Sequence, residues 1–384
     1  MSNQPTIKKM FPGAVTYQGF YSFYNYMIEP DARHIFVIKG GPGVGKSTFM
    51  KKIGQSMLEA GYNLEYHCCS SDNNSIDGLV IPELNIALLD GTAPHVVDPK
   101  NPGAVDEIIN LGEYWNEYQM LQSKDDIINC NRQVNRFFQA AYFSLKDAKN
   151  ALDEWEFYIQ PHQDWPKINQ MYLKVEKELF KNSPKNTRKG KERHLFAWAH
   201  TPQGKCQFID TLLDGIQTLY TLQGQPGTGK SSFLSKIAGR AQLMNLNVEF
   251  YHNTLEPEKL DMIILQELGV ALVITASPYD YLPEFSGNQI SLDFDKSLDQ
   301  SSLIHSQNEL DSCRERVDHS LERALSNSQS AKRVHDIMET YYIPAMDFTA
   351  IEQKRLETLQ RIFDMAGEQA IAVASPDIQT IQDV

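Results

Sequence analysis

The pattern G-x-x-x-x-G-K-[ST] occurs twice in this chain. Gly40, Gly41, Pro42, Gly43, Val44, Gly45, Lys46 and Ser47 form the first run, followed by Thr48. Gly224, Gln225, Pro226, Gly227, Thr228, Gly229, Lys230 and Ser231 form the second, followed by Ser232. A run of this kind is a P-loop signature. Its glycines let successive backbone N–H groups curl around phosphates, its lysine reaches the β- and γ-phosphates, and its hydroxyl serves Mg²⁺. The context agrees at both places. The apolar runs at residues 34–39 and 218–223 predict a strand before each loop. The helical pattern after each loop would aim its N-terminal dipole at the anion. A chance glycine turn containing a lysine accounts poorly for two such runs in the same setting.

The loops belong to a duplication of nearly the whole chain, the first thing to look for in a sequence of this length. Lys46 and Lys230 are 184 residues apart, and so are Glu65/Glu249, Asp77/Asp261, Glu83/Glu267 and Ala87/Ala271. Upstream the offset is 185 (Phe11/Phe196, Thr16/Thr201, Gly19/Gly204). Downstream it is 183 (Lys149/Lys332, Asp153/Asp336, Glu156/Glu339, Pro161/Pro344, Asp164/Asp347, Ile168/Ile351). The expected organisation is two copies, 1–188 and 189–384, each long enough to bury its own core. Residues 181–194, polar, basic and containing Pro184 and Gly190, read as the linker. Within that linker, Arg193 or Lys191 is a lesser candidate for reaching a phosphate.

Strands alternating with helices predict an α/β fold with a parallel, doubly wound sheet in each copy. In the first copy a helix is expected from 46 to about 59, then strands at 64–69 and 85–89. Beyond Pro102 the pattern turns helical, which predicts an insertion over about 104–181 and its counterpart over about 301–366. Each copy is thus expected to carry a helical hairpin on its own core. Pro161 and Pro344 should mark the same corner, with Trp165 and Phe348 buried in the same apolar pocket. Helical patterning alone leaves open whether these helices only pack or act as a lid or partner-binding arm.

Composition removes several classes of function. A net charge of −13 argues against coating nucleic acid. The five cysteines form no C-x-x-C and no zinc spacing. With a polar N-terminus and no membrane-length apolar run, the expected setting is a cytoplasm with reduced thiols.

The two sites read as unequal. Mg²⁺ at a P-loop usually needs a second carboxylate at the end of a buried strand. In the first copy Ile86-Ala87-Leu88-Leu89 ends in Asp90, followed by Gly91; the aligned residue in the second is Ile274. The metal candidates are therefore Ser47, Asp90 and Ser231, with the second site weak, metal-free or structural. Asp72 and Asp77, matched by Glu256 and Asp261, stand where ligands bind in open α/β sheets. They would either orient water or an acceptor hydroxyl, or cap a turn. His95 is a further loop candidate. No glutamate follows Asp90, and there is no LSGGQ-like or N-K-x-D run, which argues against a transporter ATPase and a GTPase switch.

Together with the loops, the runs Cys69-Ser70-Ser71-Asp72, Ser75-Ile76-Asp77-Gly78 and Asp90-Gly91-Thr92-Ala93-Pro94-His95-Val96-Val97-Asp98-Pro99 carry a likeness. Over its full length the chain resembles a bacterial family of tandem P-loop proteins described only as ATP-binding, ATPase-like or nucleotide-kinase-like. The resemblance implies ATP at Lys46 and Ser47 and at Lys230 and Ser231, but no reaction. The expectation is Mg²⁺-dependent ATP hydrolysis or phosphoryl transfer at the first loop, with Lys46, Asp90, Asp72 and Asp77 as catalytic candidates. The alternative is a nucleotide-gated interaction module with little turnover.

Overall fold

The computed structural model describes residues 4–29, 31–92, 97–184, 186–276 and 280–367. His95 and its neighbours at 93–96 lie outside them. The strands of the first copy are β1 (Ile7–Met10), β2 (Gly13–Thr16), β3 (Gly19–Ser22), β4 (His34–Lys39), β5 (Leu64–Cys68), β6 (Ile76–Ile81), β7 (Ile86–Asp90) and β8 (Asp106–Asn110). Its helices are α1 (Lys46–Glu59), α2 (Glu117–Gln122), α3 (Lys124–Ile159) and α4 (Trp165–Phe180). The second copy repeats this order. Its strands are β9 (Glu192–Leu195), β10 (Trp198–Thr201), β11 (Gly204–Gln207), β12 (Thr218–Gln223), β13 (Val248–His252), β14 (Leu260–Leu265), β15 (Val270–Ile274) and β16 (Asn288–Asp293). Its helices are α5 (Ile209–Leu212), α6 (Lys230–Leu243), α7 (Gln300–Leu303), α8 (Gln307–Tyr342) and α9 (Phe348–Ala366).

Each copy builds a six-stranded sheet, ordered β1-β5-β6-β7-β4-β8 and β9-β13-β14-β15-β12-β16. The sheets are mixed, not parallel as expected. β6 runs antiparallel to β5 and β7, and β14 to β13 and β15. Only residues 69–75 join β5 to β6 and only 82–85 join β6 to β7, too few for a crossover helix. Double winding fails for the same reason. One face of the first sheet is covered by α1, through Met50, Ile53 and Met57. The other is covered by short segments carrying Tyr24, Met27, Ala32, Val97 and Val105. The predicted all-helical insertion is also corrected at its start, where residues 106–110 form β8 beside β4.

The helical hairpins are exchanged between the copies. The two long helices, α3 and α8, lie antiparallel: Arg316 meets Glu154 at 2.8 Å and Arg323 meets Asp147 at 3.3 Å, one numbering rising as the other falls. Each then turns at its proline, Pro161 or Pro344, in a short 3-10 segment. The helix beyond the turn settles on the other copy's core. Ile168 and Val175 of α4 pack with Leu222, Phe233 and Ile237 of the second copy. Ile351, Leu359, Ile362 and Phe363 of α9 pack with Phe36, Phe49 and Ile53 of the first. Backbone bonds fasten the turns in matching fashion, Asp164 N–H to Ser297 O at 2.9 Å and Asp347 N–H to Tyr114 O at 2.8 Å. Arg361 adds a bidentate pair to Glu107, both contacts 2.6 Å. The expectation of a hairpin on its own core is thereby overturned, because α4 and α9 find equally apolar faces on the opposite copy.

Trp165 and Phe348 are likewise not buried beside their prolines. They are 42% and 44% exposed and stand against Gly229 and Gly45 of the opposite copies. The sheets also meet directly through bridge-paired Phe11 and Phe196. Arg193 reaches no phosphate position. Its guanidinium forks onto Glu65 at 2.9 and 2.5 Å and onto the carbonyls of Tyr26 and Met27. Among the described residues no helix is long and apolar enough to cross a membrane.

Candidate functional site

Both glycine-rich loops leave the carboxyl end of a central strand and enter a helix directly. Gly43 and Gly45 hold φ of +69° and +89°, and Gly227 and Gly229 hold +81° and +96°. These left-handed conformations suit glycine and explain its spacing. The first ladder bond of α1 runs from Phe49 N–H to Gly45 O at 2.8 Å, and that of α6 from Phe233 N–H to Gly229 O at 2.9 Å. The N–H groups of Lys46, Ser47 and Thr48, and of Lys230, Ser231 and Ser232, therefore precede the helical ladder and face the loop. Gly40 and Gly224 open the loops, and Pro42, Val44, Pro226 and Thr228 complete them.

The lysines fold back onto their own loops. Lys46 Nζ donates to Gly40 O and Gly41 O, both at 2.9 Å, and lies 3.6 Å from Asp90 Oδ2. Lys230 Nζ donates to Gly224 O and Gln225 O, both at 2.6 Å. Lys230 is the more enclosed, and burial pulls its ammonium down to about 8. Ser47 Oγ accepts from Ile76 N–H at 3.0 Å, and Ser231 Oγ from Leu260 N–H at 2.9 Å.

The antiparallel β6 explains where the acids lie. It starts at the same sheet edge where β4 and β7 end, which brings Asp77 toward Lys46 and Asp90. Asp77 is 5% exposed, and burial pushes its carboxyl up to about 6 against donors from Tyr24 and Cys69. Asp90 closes β7, accepts from Thr92 N–H at 2.9 Å, and is also raised by burial. Asp72 is mainly a turn residue, accepting from Asn74 N–H at 2.9 Å and Ser75 Oγ at 3.0 Å. Its other neighbour is Lys332 of α8, 3.7 Å away.

The arms complete both sites. Over the first loop, Tyr342 crowds Gly41, while Glu339 and Ile343 stand over Gly43. Over the second, Glu156 stands against Gly227 and Trp165 against Gly229. Lys149 of α3 meets Glu256 at 3.2 Å, the counterpart of the Lys332–Asp72 contact. Each lysine also pairs with an aspartate one turn on, Asp153 or Asp336. The second loop borders a cavity of about 150 Å³ lined by Lys230, Ser231, Ser232, Lys259, Glu156 and Trp165, among others.

The side chains beside the two loops differ. Ser47 and Asp90 offer hard oxygens suited to Mg²⁺ beside the first loop. Ile274 offers none beside the second. The carboxylate whose charge acts most on Lys230 is Asp295, just past β16, which accepts from Gln225 N–H at 2.9 Å. Asp261 is committed to Trp198 Nε1 at 2.8 Å and Asn253 Nδ2 at 3.0 Å. Glu156, Glu339, Lys149, Lys332, Lys259, Trp165 and Phe348 were not expected at these sites. For the charged arm residues the 183-residue offset matches Lys149 with Lys332 and Glu156 with Glu339, which marks a repeated pair without showing which loop it reaches, and Lys259, opposite Ser75, carries no such mark.

No protein-family model, curated protein or solved structure matches this chain.

Proposed function

We propose that this chain is an ATP-binding protein of two P-loop NTPase units, related to the tandem P-loop family it resembles. Mg²⁺-dependent hydrolysis or phosphoryl transfer takes place at the first loop, and the second site is degenerate or regulatory. The observation that carries this is the placement of Lys46, Ser47 and Asp90 around one loop mouth at a helix N-terminus. Lys46 exchanges the carbonyls of Gly40 and Gly41 for phosphate oxygens. Ser47 and Asp90 would hold Mg²⁺, which would supply neutralisation of phosphate charge. Asp77, its carboxyl near 6, orients water or an acceptor hydroxyl and takes its proton. A cytoplasmic setting suits the five free thiols.

One observation favours the second reading, a nucleotide-gated module. Tyr342, Glu339 and Ile343 rest on the first loop, so a ligand entering there displaces the arm that holds the copies together. Both readings need binding, and they separate at turnover. Mg-ATP at about 100 times its dissociation constant should stabilise the fold by roughly 2.7 kcal/mol. Lys46→Ala should remove the Mg²⁺-dependent part of that shift; loss with Lys230→Ala alone would reverse the assignment of sites. Asp90→Asn should keep the fold and lose most Mg²⁺-dependent turnover. Turnover equal to that of the unmutated chain would move the metal carboxylate to Asp72 or Asp77. A nucleotide-dependent change of shape without turnover would select the gated module.

A further inference from the structure

Among the aligned positions near the loops two change charge at the β7/β15 end and before β6/β14, while Asp295, which stands opposite Gly112 of the first copy, is held by Gln225 N–H at 2.9 Å. Where the first has Asp90, the second has Ile274; where the first has Ser75, the second has Lys259. A carboxylate is lost and an ammonium is gained. Lys259 lines the 150 Å³ cavity with Lys230, Ser231 and Trp165. Its Nζ bridges Glu156 Oε1 at 2.6 Å and Glu256 Oε1 at 2.9 Å. Glu256 Oε1 also meets Lys149 at 3.2 Å, whereas Lys259 is the ammonium on Glu156, so positive charge already stands between these two carboxylates. The cross-copy pairs Lys149–Glu256 and Lys332–Asp72 are common to both sites, so they do not account for the difference.

We propose that the second cavity takes a nucleoside polyphosphate without a divalent cation, the Lys259 ammonium standing in for the metal. This rests on the P-loop reading above. An ammonium offers three donors and a compact charge to phosphate oxygens. Glu256 belongs to the same copy as Lys259, whereas Glu156 comes from the arm. An entering polyphosphate therefore competes with Glu156 for one ammonium, while Trp165 offers its half-exposed ring at the cavity wall.

Trp165 makes the second site readable in the otherwise unmutated chain, with Trp165→Phe as the blank. ATP titrations should be run in excess Mg²⁺ and in EDTA, following tryptophan fluorescence, with calorimetry on Lys46→Ala in parallel. The second-site apparent dissociation constant should be no weaker in EDTA than in excess Mg²⁺, where most of the ATP is metal-bound. Lys259→Met should weaken binding in EDTA by at least about tenfold, and Lys259→Arg should restore it. Second-site binding that disappears in EDTA, or Lys259→Met binding like the unmutated chain in EDTA, would overturn the inference. First-loop binding of Mg-ATP with none at the second in either medium would overturn it alone. No ATP binding at either loop would overturn the P-loop reading and this inference with it.

Discussion

At the residue scale, the buried carboxyl of Asp77 carries the clearest pH signature. Its folded-state value of about 6 lies above the ordinary aspartate value of 3.8. Between those values the native state holds a proton that the unfolded chain releases. The stability attached to this group is therefore present at low pH and lost as pH rises toward 6. Asp77→Asn removes the titration. Relative to the unmutated protein, the variant should gain on the order of 2 kcal/mol between pH 4 and pH 7. Urea melts at the two pH values measure it, and any constant cost of the amide cancels in the comparison. A difference independent of pH would mean that the carboxyl titrates normally. If Asp77 also takes the proton during turnover, the rate should fall below about pH 6.

At the element scale, α9 (Phe348–Ala366) belongs to the first sheet's core although nearly the whole chain separates it from β1 (Ile7–Met10). Ile362 is fully buried there with Phe36, Phe49 and Ile53. Ile362→Ala should destabilise by about 3 kcal/mol through lost transfer energy and the cavity left behind. The equally bulky but exposed Phe157 on α3 should tolerate alanine within about 0.5 kcal/mol. Hydrogen exchange should show protection of α1 falling in the Ile362 variant; protection lost only in the second copy would contradict the exchanged packing. Sequence resolved what local chemistry determines. β4, β12 and α1 stand at the residues predicted, because an apolar run ending at a glycine loop is a short-range signal. β6 was missed because Asp77 and Gly78 interrupt its apolar run, and β8 because Glu107 and its neighbours lie in a stretch of helix formers. Both glycine loops and the place of Asp90 at the end of β7 were legible, whereas its contact with Lys46 came from the structure. The arm residues over the loops were not, since periodicity records that α4 and α9 have an apolar face but not which of two equally apolar cores receives it.

At the scale of the whole molecule, the exchange makes each copy's core depend on the other half of the chain. The first sheet draws Ile351, Leu359, Ile362 and Phe363 from beyond the linker, and the second draws Ile168 and Val175 from before it. Burying four large apolar side chains is worth roughly 6–12 kcal/mol, comparable with the about 5–15 kcal/mol that holds a whole domain together. The stretch around Lys189 contributes little by contrast with Arg193 further on: the Lys189 side chain is 84% exposed and its ion pair is with the nearby Glu192, 3.6 Å away. A protease site placed beside Lys189 should therefore cut the chain without separating it. The two pieces should co-elute as one particle of unchanged size in native buffer and part only in denaturant. Each half produced alone should give no cooperative thermal transition, and co-expression should restore one. A cooperative melt from either isolated half as a monomer, or separation of the cut pieces without denaturant, would mean that each copy carries a complete core of its own. Retained association would leave the chain as one cooperative body in which a ligand at either loop acts on an arm rooted in the other copy.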